Sequence, residues 1–201
     1  VSKENSKTYS ILFAGVGGQG VLLAAEITAM AAVQGGFDVK QTEVHGVSQR
    51  GGSVETHVRF GKQVWSPVVT PGKADVVVAL EKLEALRFGH FADPADGLIL
   101  ANDFEIVPGS IQDAEQAYPY HALEFLEKRY RLIPMPASQI ARDLGDARMA
   151  NVVLLGAMSN WLPIDSDHWV ATLRQRIPER FRDANLEAFA AGRKAAHGMK
   201  P

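Results

Sequence analysis

The stretch YSILFAGVGGQGVLLAAE, residues 9–26, constrains this chain more than any other: a short apolar run, a cluster of glycines, then a long apolar helix pattern. Tyr9 to Ala14 has the length and punctuation of a buried strand. From Val21 to Val33 nearly every residue is apolar, interrupted by Glu26 and Thr28, which predicts a helix covered on most of its surface. Such a helix needs neighbours on both sides, and that means a layered fold. Gly35 and Gly36 stop it, and FDVKQTEV reads as a second strand, completing a β-α-β unit whose crossover should be right-handed.

Gly15, Gly17 and Gly20 fit the G-x-G-x-x-G spacing of a phosphate-binding turn. Residues without a Cβ let backbone N–H groups close on an anion, and the helix N-terminus adds partial positive charge. The same spacing also serves a tight turn that does no more than pack strand on helix. Gly18 is surplus to the dinucleotide pattern. Glu43 stands roughly where that pattern wants its ribose-binding acid, yet a glycine-rich loop follows it, not the next crossover helix. Gln19 completes the turn.

The second constellation is the loop SQRGGS: Ser48 and Gln49, then Arg50 with its planar five-donor guanidinium, then Gly51 and Gly52, which allow close approach to a ligand or another subunit. A solvated surface turn is the plain alternative. SVETHVRF then alternates apolar and polar residues, the mark of a half-exposed strand. Gly61 and Lys62 make a tight link to QVWSPVV, predicting a hairpin with Pro67 on an edge strand, and so a mixed sheet. Further strands are expected in ADVVVALE, GLILAND and YRLIPMPA, and helices in EKLEALRFG and ARMANVVLLGAMSNW. The acid of "LE" and the pair "ND" end two of these strands, where α/β proteins place ligands. The last 35 or so residues read as amphipathic helices broken at Pro178. Together these elements predict an α/β fold, a three-layer α/β/α domain with a mixed sheet. It forms a single domain over residues 1–201, with a helical extension over about 165–201.

Composition narrows the chemistry. With no cysteine in 201 residues, the chain has no thiolate to hold an iron–sulfur cluster or zinc and no cysteine nucleophile. A net charge of −2 argues against charge-driven binding to nucleic acid or a membrane surface. The polar start VSKENSKTYS lacks the apolar core of a signal peptide, and no apolar run approaches the roughly 18 residues that span a bilayer, so a cytoplasmic protein is expected. His45 and His57 lack a carboxylate cluster at metal-ligand spacing and read as structural, hydrogen-bonded histidines; no metal site is expected. Trp65, Trp161 and Trp169 read as core or interface aromatics.

Read together, GVGGQGV and QTEVHGVSQRGGSVETHVRFG resemble the gamma-type, non-thiamine subunit of 2-oxoacid:ferredoxin oxidoreductases, nearest to the beta subunit of the indolepyruvate branch. ADVVVALE, Asn102 with Asp103, and MANVVLLGA at Met149 to Ala157 support the match, which runs to about residue 160. The resemblance implies a larger partner subunit that carries thiamine diphosphate, Mg and the cysteine-ligated clusters, with no cofactor on this chain alone. The implied reaction takes an aryl 2-oxoacid, coenzyme A and oxidised ferredoxin to the acyl-CoA, carbon dioxide and reduced ferredoxin. It implies no catalytic residue here: Gly15, Gly17, Gly18, Gln19, Gly20, Glu43, His45, Ser48, Gln49, Arg50, Gly51 and Gly52 would bind a ligand or face the partner. Two alternatives stand beside it: a free-standing dinucleotide-binding redox protein, and a purely structural subunit in which both glycine loops are interface turns.

Overall fold

The computed structural model describes residues 7–45, 52–107 and 118–199. In chain order the main elements are β1 (Tyr9–Val16), α1 (Val21–Gln34), β2 (Asp38–His45), β3 (Ser53–Gly61), β4 (Val76–Ala79), α2 (Lys82–Phe88) and β5 (Leu98–Asn102). There follow α3 (Ala122–Glu127), β6 (Arg131–Met135), α4 (Ala137–Asp143), α5 (Ala150–Met158), α6 (Ser166–Arg176) and α7 (Glu179–Ala196). The six strands form one mixed sheet in the order β2-β3-β1-β4-β5-β6. Strand β3 runs antiparallel to both its neighbours, while β1, β4, β5 and β6 pair parallel.

Side-chain alternation along the central strands splits the interior in two. Ile11, Phe13, Val76, Val78 and Leu100 point to the larger core beneath α1, α5, α6 and α7, whereas Leu12, Ala14, Val77, Ala79 and Ile99 point to a smaller one beneath α2 and α3. A sheet buried on both faces explains why its parallel strands read as unbroken aliphatic runs. Helix α1 packs against the sheet and against α6, but Leu22 (38%) and Val33 (59%) stay exposed, so its apolar pattern is not covered as fully as expected: the sheet and α6 leave part of its surface open. The C-terminal helices extend this same layer. Gly192 of α7 and Gly156 of α5 lie backbone against backbone: a Cβ added at Gly192 would stand 1.9 Å from the Val153 carbonyl oxygen, and one at Gly156 2.0 Å from that of Phe189.

The expected hairpin between SVETHVRF and QVWSPVV does not form. Both edges of β3 are already taken, by β1 and β2, so no ladder remains for a following strand. Residues 62–73 instead turn back as a loop whose polar backbone groups bond to side chains. The Asp38 carboxylate accepts from Val64 N–H at 2.8 Å, His57 Nδ1 accepts from Val69 N–H at 3.0 Å, and Arg59 donates to the Ser66 carbonyl at 3.0 Å. His57 is thus the structural, hydrogen-bonded histidine expected. Trp65 is 84% exposed on this loop, so of the tryptophans read as core or interface it is not a core residue, whereas Trp169 is fully buried against Phe189.

Candidate functional site at the switch in strand order

The chain leaves β1 over α1 towards the β2–β3 side of the sheet and returns on the opposite side as β4. Such a reversal opens a crevice outside the carboxyl ends of the two strands, here β1 and β4, which is where open α/β sheets bind ligands. The glycine turn and the segment after β4 form its walls.

Each residue of the turn has a separate physical task. Gln19 N–H donates to the Val16 carbonyl at 3.0 Å; its side-chain oxygen accepts from Val16 N–H at 2.7 Å, and its side-chain nitrogen donates to the Leu80 carbonyl at 3.1 Å. Gln19 therefore fastens β1 to β4, its amide spent on the backbone. Gly15 is a packing glycine, since a Cβ there would stand 2.7 Å from Val21 Cγ2. Gly20 has φ +79°, and its missing Cβ leaves the place taken by Asn151, whose Nδ2 donates to the Gly20 carbonyl at 3.2 Å. Gly18, at φ +104°, faces open space, with nothing within 4 Å of where its Cβ would be. Three cavities of about 630, 540 and 220 Å³ all reach Gly18.

The N–H groups of Val21, Leu22 and Leu23 precede the first intrahelical bond, Ala24 N–H to the Gly20 carbonyl at 3.0 Å, and no acidic side chain occupies this first turn. An anion at Gly18 would meet those free donors and the positive end of the helix dipole. Arg148, 81% exposed and paired with Asp146 at 2.6 Å, borders the two smaller cavities.

The second glycine motif meets the first: Gly17 N–H donates to the Gly52 carbonyl at 2.8 Å. The next residue, Ser53, donates its hydroxyl to Glu84, a buried carboxylate of α2 that also takes Arg87 at 2.7 Å. Burial raises the Glu84 carboxyl above its usual range, against the pull of Ser53 and Arg87. Glu43 shares the largest of these three cavities with Gly17, Gly18 and Gly20. His45 ends β2, in register with Val54. Ser48, Gln49, Arg50 and Gly51 lie outside the described residues.

Two features separate the crevice from a dinucleotide-binding half. Strand β3 stands between β1 and β2, which places Glu43 two strand spacings from the glycine strand, roughly 10 Å and not 5 Å. The acid between β4 and α2 and the asparagine that ends β5 are also turned inward. Glu81 accepts from the N–H groups of Glu84 (3.0 Å) and Ile106 (3.1 Å) and from the Tyr118 hydroxyl, and burial together with this carboxylate pushes the Tyr118 hydroxyl far above its usual range. Asn102 donates to the Leu80 carbonyl at 3.1 Å and to Ser138 Oγ at 2.8 Å, and Lys82 takes Asp103 at 2.6 Å. These groups brace the crevice floor.

Sequence reasoning missed Asn151. A lone asparagine at the start of an otherwise apolar helix was the available signal for it. Among the described residues no cluster of three or more histidine, aspartate and glutamate side chains is placed to hold a metal ion, and no helix is long and apolar enough to cross a membrane.

Comparison with known proteins agrees with this geometry. Residues 10–195 match the family described as pyruvate ferredoxin/flavodoxin oxidoreductase. Indolepyruvate oxidoreductase subunit IorB of Pyrococcus horikoshii is 37% identical over 201 aligned residues, spanning 96% of this chain and 98% of the relative. The crystal structure of a keto/oxoacid ferredoxin oxidoreductase gamma subunit from Geobacter sulfurreducens superposes with a TM-score of 0.71 at 25% identity, over 95% of this chain and 99% of that one. The same fold forms 32% of a longer chain of 2-oxoglutarate:ferredoxin oxidoreductase from Magnetococcus marinus, matched over 97% of this chain at a TM-score of 0.77 and 23% identity.

Proposed function

Because the chain belongs to the pyruvate ferredoxin/flavodoxin oxidoreductase family, we propose that it is the non-thiamine subunit of a cytoplasmic complex that oxidatively decarboxylates an aryl 2-oxoacid, such as indolepyruvate, to the acyl-CoA. Ferredoxin takes the electrons. Thiamine diphosphate with its Mg, and the iron–sulfur clusters, belong to a larger partner subunit, since this sequence offers no thiolate for a cluster. The thiamine supplies the carbanion chemistry there; this chain's part is to bind and orient.

The observation that carries the reading is the meeting of the two glycine motifs at the switch crevice, Gly17 N–H on the Gly52 carbonyl. Gly52 stands two positions after Arg50 in the sequence, and Gly17 leads into the open face of Gly18 and the free donors of α1. Coenzyme A is the anionic cosubstrate for which this crevice is suited, with Arg50 contributing charge-assisted bonds that a lysine would not reproduce in planar form.

Co-expression with a larger, cysteine-containing partner, followed by pull-down and assay, tests this. The complex should contain thiamine and iron and oxidise the 2-oxoacid, and this chain alone should do neither; robust 2-oxoacid oxidation by the isolated chain overturns the subunit reading. A nicotinamide or flavin held by the isolated chain would favour a free-standing redox protein. Within the assembled complex, Arg50→Ala should leave the subunits associated and raise KM for coenzyme A or the 2-oxoacid about tenfold, the size of one lost bond to a charged group. Unchanged kinetics would make Arg50 a solvated loop residue, and loss of the complex would move it to the interface.

A further inference from the structure

The two glycine motifs meet where their own side chains give no hold. The antiparallel pairing of β1 and β3 ends with Val16 opposite Ser53, and the bond from Gly17 N–H to the Gly52 carbonyl, at 2.8 Å, carries it one step further. Glycine has the widest backbone freedom of any residue, so a glycine pair at the end of a ladder frays unless its neighbours are fastened.

Both neighbours are fastened, and to one support. On the β1 side, Gln19 accepts from Val16 N–H at 2.7 Å and donates to the Leu80 carbonyl at 3.1 Å. On the β3 side, the Ser53 hydroxyl donates to Glu84. Leu80 and Glu84 belong to the segment that leads from β4 into α2, where the Glu81 carboxylate accepts from Glu84 N–H at 3.0 Å. Ser53 projects on the same side of β3 as His57, which lies opposite Leu12 on the face that α2 covers, whereas α1 lies over the other face. Glu84 therefore acts from the far side of the sheet.

Neither partner of Glu84 needs it. Ser53 is only partly buried and Arg87 is 48% exposed, so water would satisfy both. Glu84 itself is buried, and burial raises its carboxyl against the pull of Ser53 and Arg87. An acid kept there at a cost in desolvation supplies what water does not, a charged acceptor at one fixed place, whose bonds are shorter and stronger than those of a neutral one. We propose that Glu84 is a positioning residue: it pins Ser53 from beneath the sheet and through it holds the Gly52 carbonyl in place for Gly17. Its consequence for turnover rests on the function argued above; its effect on the glycine pair does not.

Amide hydrogen exchange of the full-length chain, followed residue by residue by NMR, tests the pin without partner or turnover. In Ser53→Ala, Gly17 N–H should exchange about tenfold faster than in the parent, while the amides of Val77 and Ile99 in the central strands exchange as before. Glu84→Leu should loosen Gly17 equally and unfold at or above the parent's thermal midpoint, because an apolar side chain replaces a buried acid and Arg87 turns to solvent. Ser53→Thr and Glu84→Gln, which keep the bond from hydroxyl to oxygen, should retain most of the protection of Gly17. In the assembled complex, Ser53→Ala should raise KM for coenzyme A several-fold with kcat unchanged. Parent-like exchange at Gly17 in both Ser53→Ala and Glu84→Leu overturns the proposal. So does exchange that rises equally at Gly17, Val77 and Ile99, which marks a general loss of stability. Faster exchange confined to Gly17 with unchanged kinetics supports the pin and counts instead against the crevice as the coenzyme A site.

Discussion

Gly192→Leu is expected to prevent folding, and Gly192→Ala to cost about 3 kcal/mol, at the upper end of what overpacking a core costs. In an ordinary exposed helix the alanine substitution would go the other way and stabilise by about 1 kcal/mol, so the sign of the effect is itself the test. The reason lies in the crossing of α5 and α7. The new methyl would stand 1.9 Å from the Val153 carbonyl oxygen and 2.7 Å from its carbon, and these are backbone atoms, which no rotamer change moves aside. Relief requires the two helices to separate along their length. Separation unpacks Val153, Ala188 and Phe189, and through Phe189 the fully buried Trp169. A leucine multiplies the same displacement and should exceed much of the 5–15 kcal/mol by which such domains are stable. Gly156→Ala meets the Phe189 carbonyl at 2.0 Å and should behave alike. Urea unfolding of the alanine variants gives the measurement; a parent-like midpoint would show that the helices do not bear on each other here.

That crossing also shows where the sequence stopped being legible. The order of strands and helices follows from hydrophobic period and glycine punctuation, because those signals are local: Val76–Ala79 reads as a doubly buried strand from its own residues, and Pro178 separates α6 from α7 by its own chemistry. The insertion of β3 beside β1 pairs residues 37 to 51 positions apart, and nothing in SVETHVRF says which edges it will meet. The expected hairpin failed for that reason. The glycine turn was legible as a turn, yet the roles within it depended on distant partners. Gln19 looked like a ligand contact until Leu80 took its amide, and Gly20 looked like a phosphate glycine until Asn151, 131 residues on, occupied the space of its Cβ. Gly18, the residue the dinucleotide pattern does not need, is the one left open to the crevice.

The contrast between Gly20 and Gly18 gives the second large effect. Both have positive φ, at +79° and +104°, so alanine at either carries the left-handed strain of about 1–2 kcal/mol. Gly20→Ala adds a collision, its Cβ falling 2.4 Å from Asn151 Nδ2, which must swing away and abandon the Gly20 carbonyl. A part-buried hydrogen bond is lost on top of the strain, and the total should reach about 3 kcal/mol. Gly18→Ala meets nothing within 4 Å, so it should cost the strain alone and leave the fold intact. Its methyl, however, would project into the crevice where the free N–H groups of α1 converge. In the assembled complex Gly18→Ala should therefore raise KM for coenzyme A with little loss of thermal stability, while Gly20→Ala should lower the unfolding midpoint first. Asn151→Ala in the Gly20→Ala background should recover part of that loss, because the side chain in the way is gone and only the strain remains. Equal stability losses at the two glycines, or an unchanged KM in Gly18→Ala, would mean that the open face of Gly18 meets the partner subunit and not an anion.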